Sequence, residues 1–200
     1  MTSIVLAGGK SNRLGRNKAL ENFGDRSLIE RVIDTLSLLG DDIIVVTAKQ
    51  DQLPKLGDDI EYVLDSYPPL TGAKVGLYSG IKASTSFHSL AVACDMPFLN
   101  IDLLRYLIDI SEGFNVVIPR IGDKIEPLHA VYSKNCLPIL ESQLGEGRLK
   151  ISNLFDEVEV RYVDKEEIEW FDPQHLSFLN VNSEADLRKA KSIIEKVAHD

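Results

Sequence analysis

Hydrophobic positions along the chain follow two alternating spacings, one typical of buried strands and the other of amphipathic helices. Short apolar runs rich in β-branched residues predict strands at residues 3–7, 42–48, 60–65 and 89–95. Apolar residues three and four positions apart predict helices at residues 27–40, 72–84, 101–110 and 183–198. Residues 115–132 predict two further strands joined by a turn region at Gly122 and Asp123.

Polar residues at the predicted helix starts support these assignments. Ser27 is followed three residues later by Glu30, which is the spacing of a capping box. Asn100 precedes the third helix as a cap, and Ser183 begins a similar pattern with Asp186. These signals define the starts of three of the four predicted helices.

The alternation of strands and helices predicts an α/β fold of three layers, with helices on both faces of a mostly parallel, mixed sheet. Ligands of such folds bind at the carboxyl ends of the strands. We expect residues 1–200 to form a single domain, since no internal repeat or linker is evident. Residues 144–173 have the least regular pattern, and we expect a flap or a peripheral layer there.

Composition and charge narrow the classes of function. The 200 residues are 44% hydrophobic and 26% charged, as in an ordinary soluble protein. The net charge of -9 argues against general binding to nucleic acid, and no apolar run approaches the roughly 20 residues that a membrane span needs. The N-terminus lacks a secretory pattern, and two cysteines are too few for a disulfide scaffold. We therefore expect a cytoplasmic protein without nucleic-acid or membrane partners.

A cationic, glycine-containing loop follows the first predicted strand, in the stretch GGKSNRLGRNK. Gly8 and Gly9 lack a β-carbon, so backbone N–H groups there can approach a phosphate closely. Arg13 and Lys18 add cations, although a surface turn with solvated cations would have the same composition. Neither G-x-x-x-x-G-K-[ST] nor G-x-G-x-x-G occurs in the stretch. The composition favours phosphate binding without identifying the ligand.

Acidic residues stand where two of the predicted strands end. Asp95 closes the fourth strand just before Pro97, where a carboxylate facing the loop can hold Mg²⁺, or simply form a turn. Asp65 closes the third strand and can bind nucleotide or begin the turn before the following prolines. Together with the cationic loop, Asp95 favours a site for a metal-bound phosphate.

Five segments carry a resemblance to a known family. The segment LAGGKSNRLGRNKAL, at residues 6–20, is similar to the signature L-A-G-G-x-S-x-R-M-G-x-D-K-x-L. That signature is typical of the molybdenum cofactor guanylyltransferases, which are relatives of the nucleotide-sugar and cytidylyl transferases. Later motifs of the family are matched in order by residues 63–77, 93–99, 126–132 and 178–187.

The resemblance implies a Rossmann-like nucleotidyltransferase fold. It also implies transfer of GMP from GTP to molybdenum-bound molybdopterin, with release of pyrophosphate, Mg²⁺ as cofactor and apo-molybdoenzymes as candidate recipients of the product. Catalytic roles are implied for Arg13, Lys18 and Asp95, with Asp95 holding the metal. Asn182 is a weaker candidate. The implied nucleotide-binding residues are Leu6, Ala7, Gly8, Gly9, Lys18, Thr47, Asp65 and Asp95.

Several positions depart from the family pattern. Asn17 replaces an aspartate, Leu14 replaces a methionine, and Thr47 stands where asparagine is frequent. Lys74 lies in a segment that is often Gly-Pro-Leu-Ala-Gly, and we expect it to add a positive charge facing the nucleotide. A lone histidine in a strand, such as His129, is more often a hydrogen-bonded structural residue than a ligand.

These departures leave alternatives open. One is a cytidylyltransferase or sugar-phosphate nucleotidyltransferase of the same fold, although the start LAGG, rather than LAAG, favours guanine. Another is a non-catalytic carrier of nucleotide or finished cofactor for molybdoenzymes. The combination of Arg13, Lys18 and Asp95 argues against the carrier, because a carrier needs no metal site.

Overall fold

The computed structural model describes residues 1–8, 18–40, 42–48 and 53–197. The strands in these ranges are β1 (Thr2–Leu6), β2 (Asn22–Phe23), β3 (Arg26–Ser27), β4 (Asp42–Thr47), β5 (Ile60–Leu64), β6 (His88–Ala93), β7 (Val116–Ile121), β8 (Lys124–Ile125), β9 (His129–Ser133) and β10 (Val160–Asp164). The helices are α1 (Leu28–Ser37), α2 (Ala73–Ala83), α3 (Ile101–Asp109), α4 (Leu137–Gly145), α5 (Lys165–Ile168) and α6 (Glu184–Val197).

One mixed sheet forms the middle layer, in the strand order β10-β7-β9-β6-β1-β4-β5, and β8 pairs with β7 outside this order. Strand β9 runs antiparallel to both β6 and β7, whereas the other neighbours in the order run parallel to each other. The carboxyl ends of β1, β4, β5, β6 and β7 therefore meet at one edge, together with the amino end of β9. This confirms the predicted mostly parallel α/β fold.

Apolar side chains on the two faces of the sheet build two separate cores. Along the fully buried β1, Val5 packs into the core that includes α1 and α3, while Ile4 and Leu6 pack into the core that includes α2 and α4. This division follows from the two-residue period of a strand. The helices therefore cover both faces, as the alternation of elements predicts.

The helix caps also agree with the sequence. The Ser27 side chain accepts from the backbone N–H of Glu30, whose carboxylate accepts from the backbone N–H of Ser27. The Asn100 side chain accepts from the backbone N–H groups of Asp102 and Leu103 at 3.0 and 2.9 Å. These caps satisfy backbone donors that have no partner within the first turn of a helix.

The structure corrects three expectations. The segment 115–132 contributes three strands rather than two, because β8 forms a short hairpin with the end of β7 before β9 begins. The segment 144–173 is not a flap, since β10 extends the main sheet by pairing with β7 and α5 follows it. The fourth predicted strand ends at Ala93, so Asp95 lies in the turn after β6. In the described ranges, every helix is too short or too polar to cross a bilayer.

Candidate active site

The segment after β1 is fixed between the two neighbouring strands. The backbone N–H of Ala7 donates to the Val46 carbonyl at 2.9 Å, and the Cys94 N–H donates to the Leu6 carbonyl at 3.2 Å. A β-carbon at Gly8 would lie 3.3 Å from the backbone nitrogen of Ala48, so the chain following β1 passes close to the end of β4. Gly8 itself is exposed at this edge.

Lys18 joins three segments that are distant in sequence. It begins a short 3₁₀ turn, Lys18–Leu20, and its ammonium forms an ion pair with the Asp95 carboxylate. The same ammonium donates to Asn182 Oδ1 at 2.7 Å. The backbone carbonyl of Asp95 accepts from the N–H of Val181 at 2.9 Å, which holds the asparagine segment beside the end of β6. Three of the predicted site residues thus meet at one point.

Asp95 has the properties of a magnesium ligand. Its side chain is only 14% exposed, and its second carboxylate oxygen, Oδ1, is buried and accepts no hydrogen bond from the described residues. Magnesium prefers such hard oxygens and usually takes one or two carboxylates together with phosphate oxygens and water. Within the described ranges, no three His, Cys, Asp or Glu side chains cluster closely enough to form a complete metal cage. Asp95 therefore fits an ion shared with a substrate phosphate.

Thr47 and Asp65 lie at the same edge of the sheet, at the carboxyl ends of β4 and β5. Thr47 is buried at the end of β4, and its carbonyl accepts from the Asp65 N–H at 3.0 Å. A β-carbon at Gly76 of α2 would lie 3.5 Å from Asp65 Oδ1, so this carboxylate is packed against the helix. Burial raises the pKa of Asp65 from 3.8 to about 6. Thr47 thus lies at the end of β4, as the sequence predicts, whereas β5 ends at Leu64 and Asp65 directly follows it.

Lys74 does not face this edge, contrary to the expectation from sequence. Its side chain is 1% exposed, and its ammonium donates to the Gln143 side chain and, at 2.9 Å, to the Arg148 carbonyl. Gln143 in turn donates to Glu157 at 2.7 Å. Burial is the main cause that lowers the pKa of Lys74 to about 8. Lys74 is therefore a buried link from α2 to α4 and to the segment after α4.

His129 is also enclosed in the protein interior. It is fully buried at the start of β9, and its ring centroid lies 4.9 Å from that of Phe178. Neither ring nitrogen has a hydrogen-bond partner among the described residues, so the expected structural hydrogen bond is absent there. Burial lowers the pKa of His129 to about 3, which keeps the imidazole neutral.

Two predicted site residues, Gly9 and Arg13, lie outside the described residues. A cleft that the sequence does not predict opens beside Asp95 and Asn182, with a volume of about 510 Å³. Its other walls come from the turn before β9 and from the segment after α4, including Glu126, Leu128 and Ile151. The sequence contains only a weak signal for this cleft, because its walls are brought together only by the pairing of distant strands.

Comparison with known proteins identifies relatives along nearly the whole chain. The family model described as a MobA-like NTP transferase domain matches residues 3–160. A probable molybdenum cofactor guanylyltransferase of Pelotomaculum thermopropionicum is 34% identical over 197 residues, covering 97% of this chain and 93% of the relative. A molybdenum cofactor guanylyltransferase of Desulfosudis oleivorans is also 34% identical over 197 residues, covering 98% and 96%.

A solved structure agrees with these relatives. The crystal structure of molybdopterin-guanine dinucleotide biosynthesis protein A from Archaeoglobus fulgidus superposes with a TM-score of 0.86 at 28% sequence identity. The superposition covers 98% of this chain and all of that one (100%). The similarity therefore extends over nearly the whole length of both chains.

Proposed function

The chain belongs to the family of MobA-like NTP transferase domains, and from this premise we propose that it transfers GMP from GTP to molybdopterin. The products are the guanine dinucleotide form of the cofactor and pyrophosphate. The names of the full-length relatives support this choice of nucleotide and acceptor. The high structural similarity to the protein from Archaeoglobus fulgidus supports it as well.

The observation that carries the proposal is the contact of Lys18 with both Asp95 and Asn182. It joins the end of the cationic loop, the turn after β6 and the segment before α6 at the edge where ligands of α/β folds bind. A cation and a carboxylate at one point suit a reaction between two negatively charged phosphates. Neither group needs to act as a nucleophile for such a reaction.

The chemistry requires one bond to form and one to break. An oxygen of the acceptor's terminal phosphate attacks the α-phosphorus of GTP, and the bond from that phosphorus to the β-phosphate oxygen breaks as pyrophosphate leaves. The attacking oxygen is already ionised near neutral pH, so the protein contributes position and charge compensation. Lys18 is held by two oxygen acceptors, and we expect its ammonium to stabilise negative charge on the triphosphate.

The remaining site residues would bind either the metal ion or the nucleotide. Asp95 would hold Mg²⁺, which when bound neutralises phosphate charge and orients the triphosphate. The backbone of Leu6, Ala7 and Gly8 would bind guanine. Thr47 and Asp65, at the ends of β4 and β5, would then contact the rest of the nucleoside.

Replacement of Asp95 tests the proposal. Asp95→Asn keeps the size of the side chain but removes the charge that would hold the metal. We expect pyrophosphate release from GTP, molybdopterin and Mg²⁺ to fall by at least about 100-fold. Circular dichroism should show an unchanged fold, and Asp109→Asn, an exposed position at the end of α3, should retain wild-type activity.

Each alternative function has its own outcome in the same assay. Pyrophosphate release with CTP in place of GTP would indicate a cytidylyltransferase. Pyrophosphate release with a sugar phosphate as acceptor would indicate a sugar-phosphate nucleotidyltransferase. Nucleotide binding without release from any nucleotide would indicate a carrier. Full activity of Asp95→Asn would remove Asp95 from the metal site.

A further inference from the structure

The cleft beside Asp95 is walled by the turn before β9, on the opposite side of β6 from the nucleotide residues proposed at β1, β4 and β5. Strands β1, β4 and β5, which carry those residues, lie on one side of β6, whereas β9 and β7 lie on the other. The cleft volume of about 510 Å³ falls in the range of small-molecule sites. Asp95 and Asn182 line it, so the cleft opens directly onto the point where phosphates would react. An acceptor in this cleft can present its phosphate to the nucleotide.

Glu126 is fixed in the wall of this cleft by its backbone. Its N–H donates to the Pro119 carbonyl at 3.2 Å, and its carbonyl accepts from the His129 N–H at 3.1 Å. Because both main-chain groups are bonded, the direction of the side chain is constrained. Glu126 belongs to the lining of the cleft, and its carboxylate accepts no hydrogen bond from the residues that the structure describes.

The surroundings of Glu126 leave this carboxylate available to a ligand. Burial is the main cause that raises its pKa, the charge of Asp95 raises it further, and Lys124 opposes the shift. No ion pair with Lys124 occurs among the described residues. An unpaired charge that is shielded from water is costly, so a ligand that covers this partly buried carboxylate must supply N–H donors to it.

The rest of the cleft suits a flat, partly apolar ring. Leu128, Leu149 and Ile151 contribute apolar surface, while Asp95 lies toward the reacting phosphates. A carboxylate can accept two parallel N–H bonds, as it does from a guanidinium. The pterin ring presents such a pair along one edge, formed by its 2-amino group and the neighbouring ring N–H.

We propose that Glu126 determines acceptor specificity by accepting hydrogen bonds from the 2-amino and ring N–H edge of the pterin. The inference rests on the proposed function for the identity of the acceptor, and it adds the residue that recognises it. Such a site discriminates strongly, because an analogue that covers the carboxylate but lacks a donor leaves it unpaired.

A comparison of pterin with lumazine tests the inference. Lumazine carries a carbonyl in place of the 2-amino group, so it presents an acceptor where pterin presents a donor. We expect wild-type protein, with Mg²⁺ and a non-hydrolysable GTP analogue, to bind pterin at least about 10-fold more tightly than lumazine, as measured by ligand fluorescence. In Glu126→Gln the carboxamide offers one donor and one acceptor, which matches lumazine, so the preference should reverse.

A matched control and a kinetic readout complete the test. Asp123→Asn alters an exposed acid on the same hairpin and should keep the wild-type preference. Glu126→Gln should raise KM for molybdopterin about 10-fold or more and leave KM for GTP unchanged. An unchanged pterin-to-lumazine ratio in Glu126→Gln, or binding of neither ring by the wild type, would overturn the inference.

The same measurements separate this inference from the proposed function. Pterin selectivity that depends on Glu126, without pyrophosphate release from GTP and molybdopterin, would support the site and refute the reaction. Pyrophosphate release with unaltered selectivity in Glu126→Gln would support the reaction and refute the site.

Discussion

At the scale of single residues, the buried imidazole of His129 is a source of acid sensitivity. Burial lowers its pKa from the ordinary value of 6.5 to about 3. As the pH falls below 6.5, the unfolded chain therefore takes up a proton that the folded chain does not, and stability is lost progressively toward pH 3. Above pH 6.5 both states are neutral at this residue, so the effect disappears.

Replacement of His129 by leucine should reduce this acid sensitivity. Between pH 7 and pH 4.5 the free energy of unfolding of the wild type should fall by about 2 to 3 kcal/mol more than that of His129→Leu. Urea denaturation at the two pH values measures the difference. Parallel pH dependence of the two proteins would show that His129 does not remain neutral in the folded state.

Single residues also show how far sequence alone could predict the site. Lys18, Asp95 and Asn182 could be predicted because each lies in a recognisable motif next to the end of an element. The direction of Lys74 could not, because its partners, Gln143 and the Arg148 carbonyl, are about 70 residues away. The position of Glu126 in the cleft could not be predicted either, because it depends on how the β7–β9 connection meets the distant segment after α4.

At the scale of elements, α2 packs unusually closely on the buried strand β1. A β-carbon at Gly80 would lie 2.5 Å from Ile4 Cγ2, and one at Gly76 would lie 2.8 Å from Leu6 Cδ2. Glycine normally weakens a helix by up to about 1 kcal/mol relative to alanine. Here the two glycines allow close contact between α2 and the sheet. This packing explains why the segment is helical, as its apolar pattern predicts, although glycine is a weak helix former.

Substitution of Gly80 should therefore destabilise the fold rather than strengthen the helix. We expect Gly80→Ala to lower the free energy of unfolding by about 1 to 3 kcal/mol, because the branched Ile4 side chain in a buried strand cannot move away. Gly145→Ala, at the last residue of α4, is the matched control, since its β-carbon would meet Tyr67 Oη at an ordinary 3.5 Å. Equal stability of the two variants in urea denaturation would contradict this account.

Elements differ in how well their sequences predict them. Helix α1 combines a capping box with a regular apolar face, so its local sequence is sufficient to predict it. Helix α4 carries Pro138 near its start and lacks a clear polar face, and β10 is a short strand stabilised by its pairing with β7. Both elements depend on contacts with distant parts of the chain, which local patterns do not contain.

At the scale of the whole molecule, the site draws on both ends of the chain. Lys18 lies near the N-terminus and Asn182 precedes the last helix, so a ligand bound between them links regions that are far apart in sequence. A ligand that binds only the folded state stabilises it in proportion to the logarithm of its concentration. Nucleotide selectivity should therefore appear as a difference in melting temperature.

A thermal-shift measurement tests nucleotide choice without the acceptor. At about 100 times its Kd, GTP with Mg²⁺ should stabilise the protein by about 2.7 kcal/mol, raising Tm by roughly 5 to 10 °C. CTP at the same concentration should give a clearly smaller shift, and EDTA should reduce the shift with GTP. Equal shifts with both nucleotides would argue against guanine selectivity.

The reversed direction of β9 has a consequence for how the molecule can diversify. Because β9 enters the sheet at the edge where its neighbours leave it, the chain on that side must turn back through a hairpin. The length and composition of that hairpin can vary without moving β1, β4 or β5. On the proposed function, we expect exchange of the β7–β9 connection to alter acceptor binding while β1, β4 and β5 keep their positions.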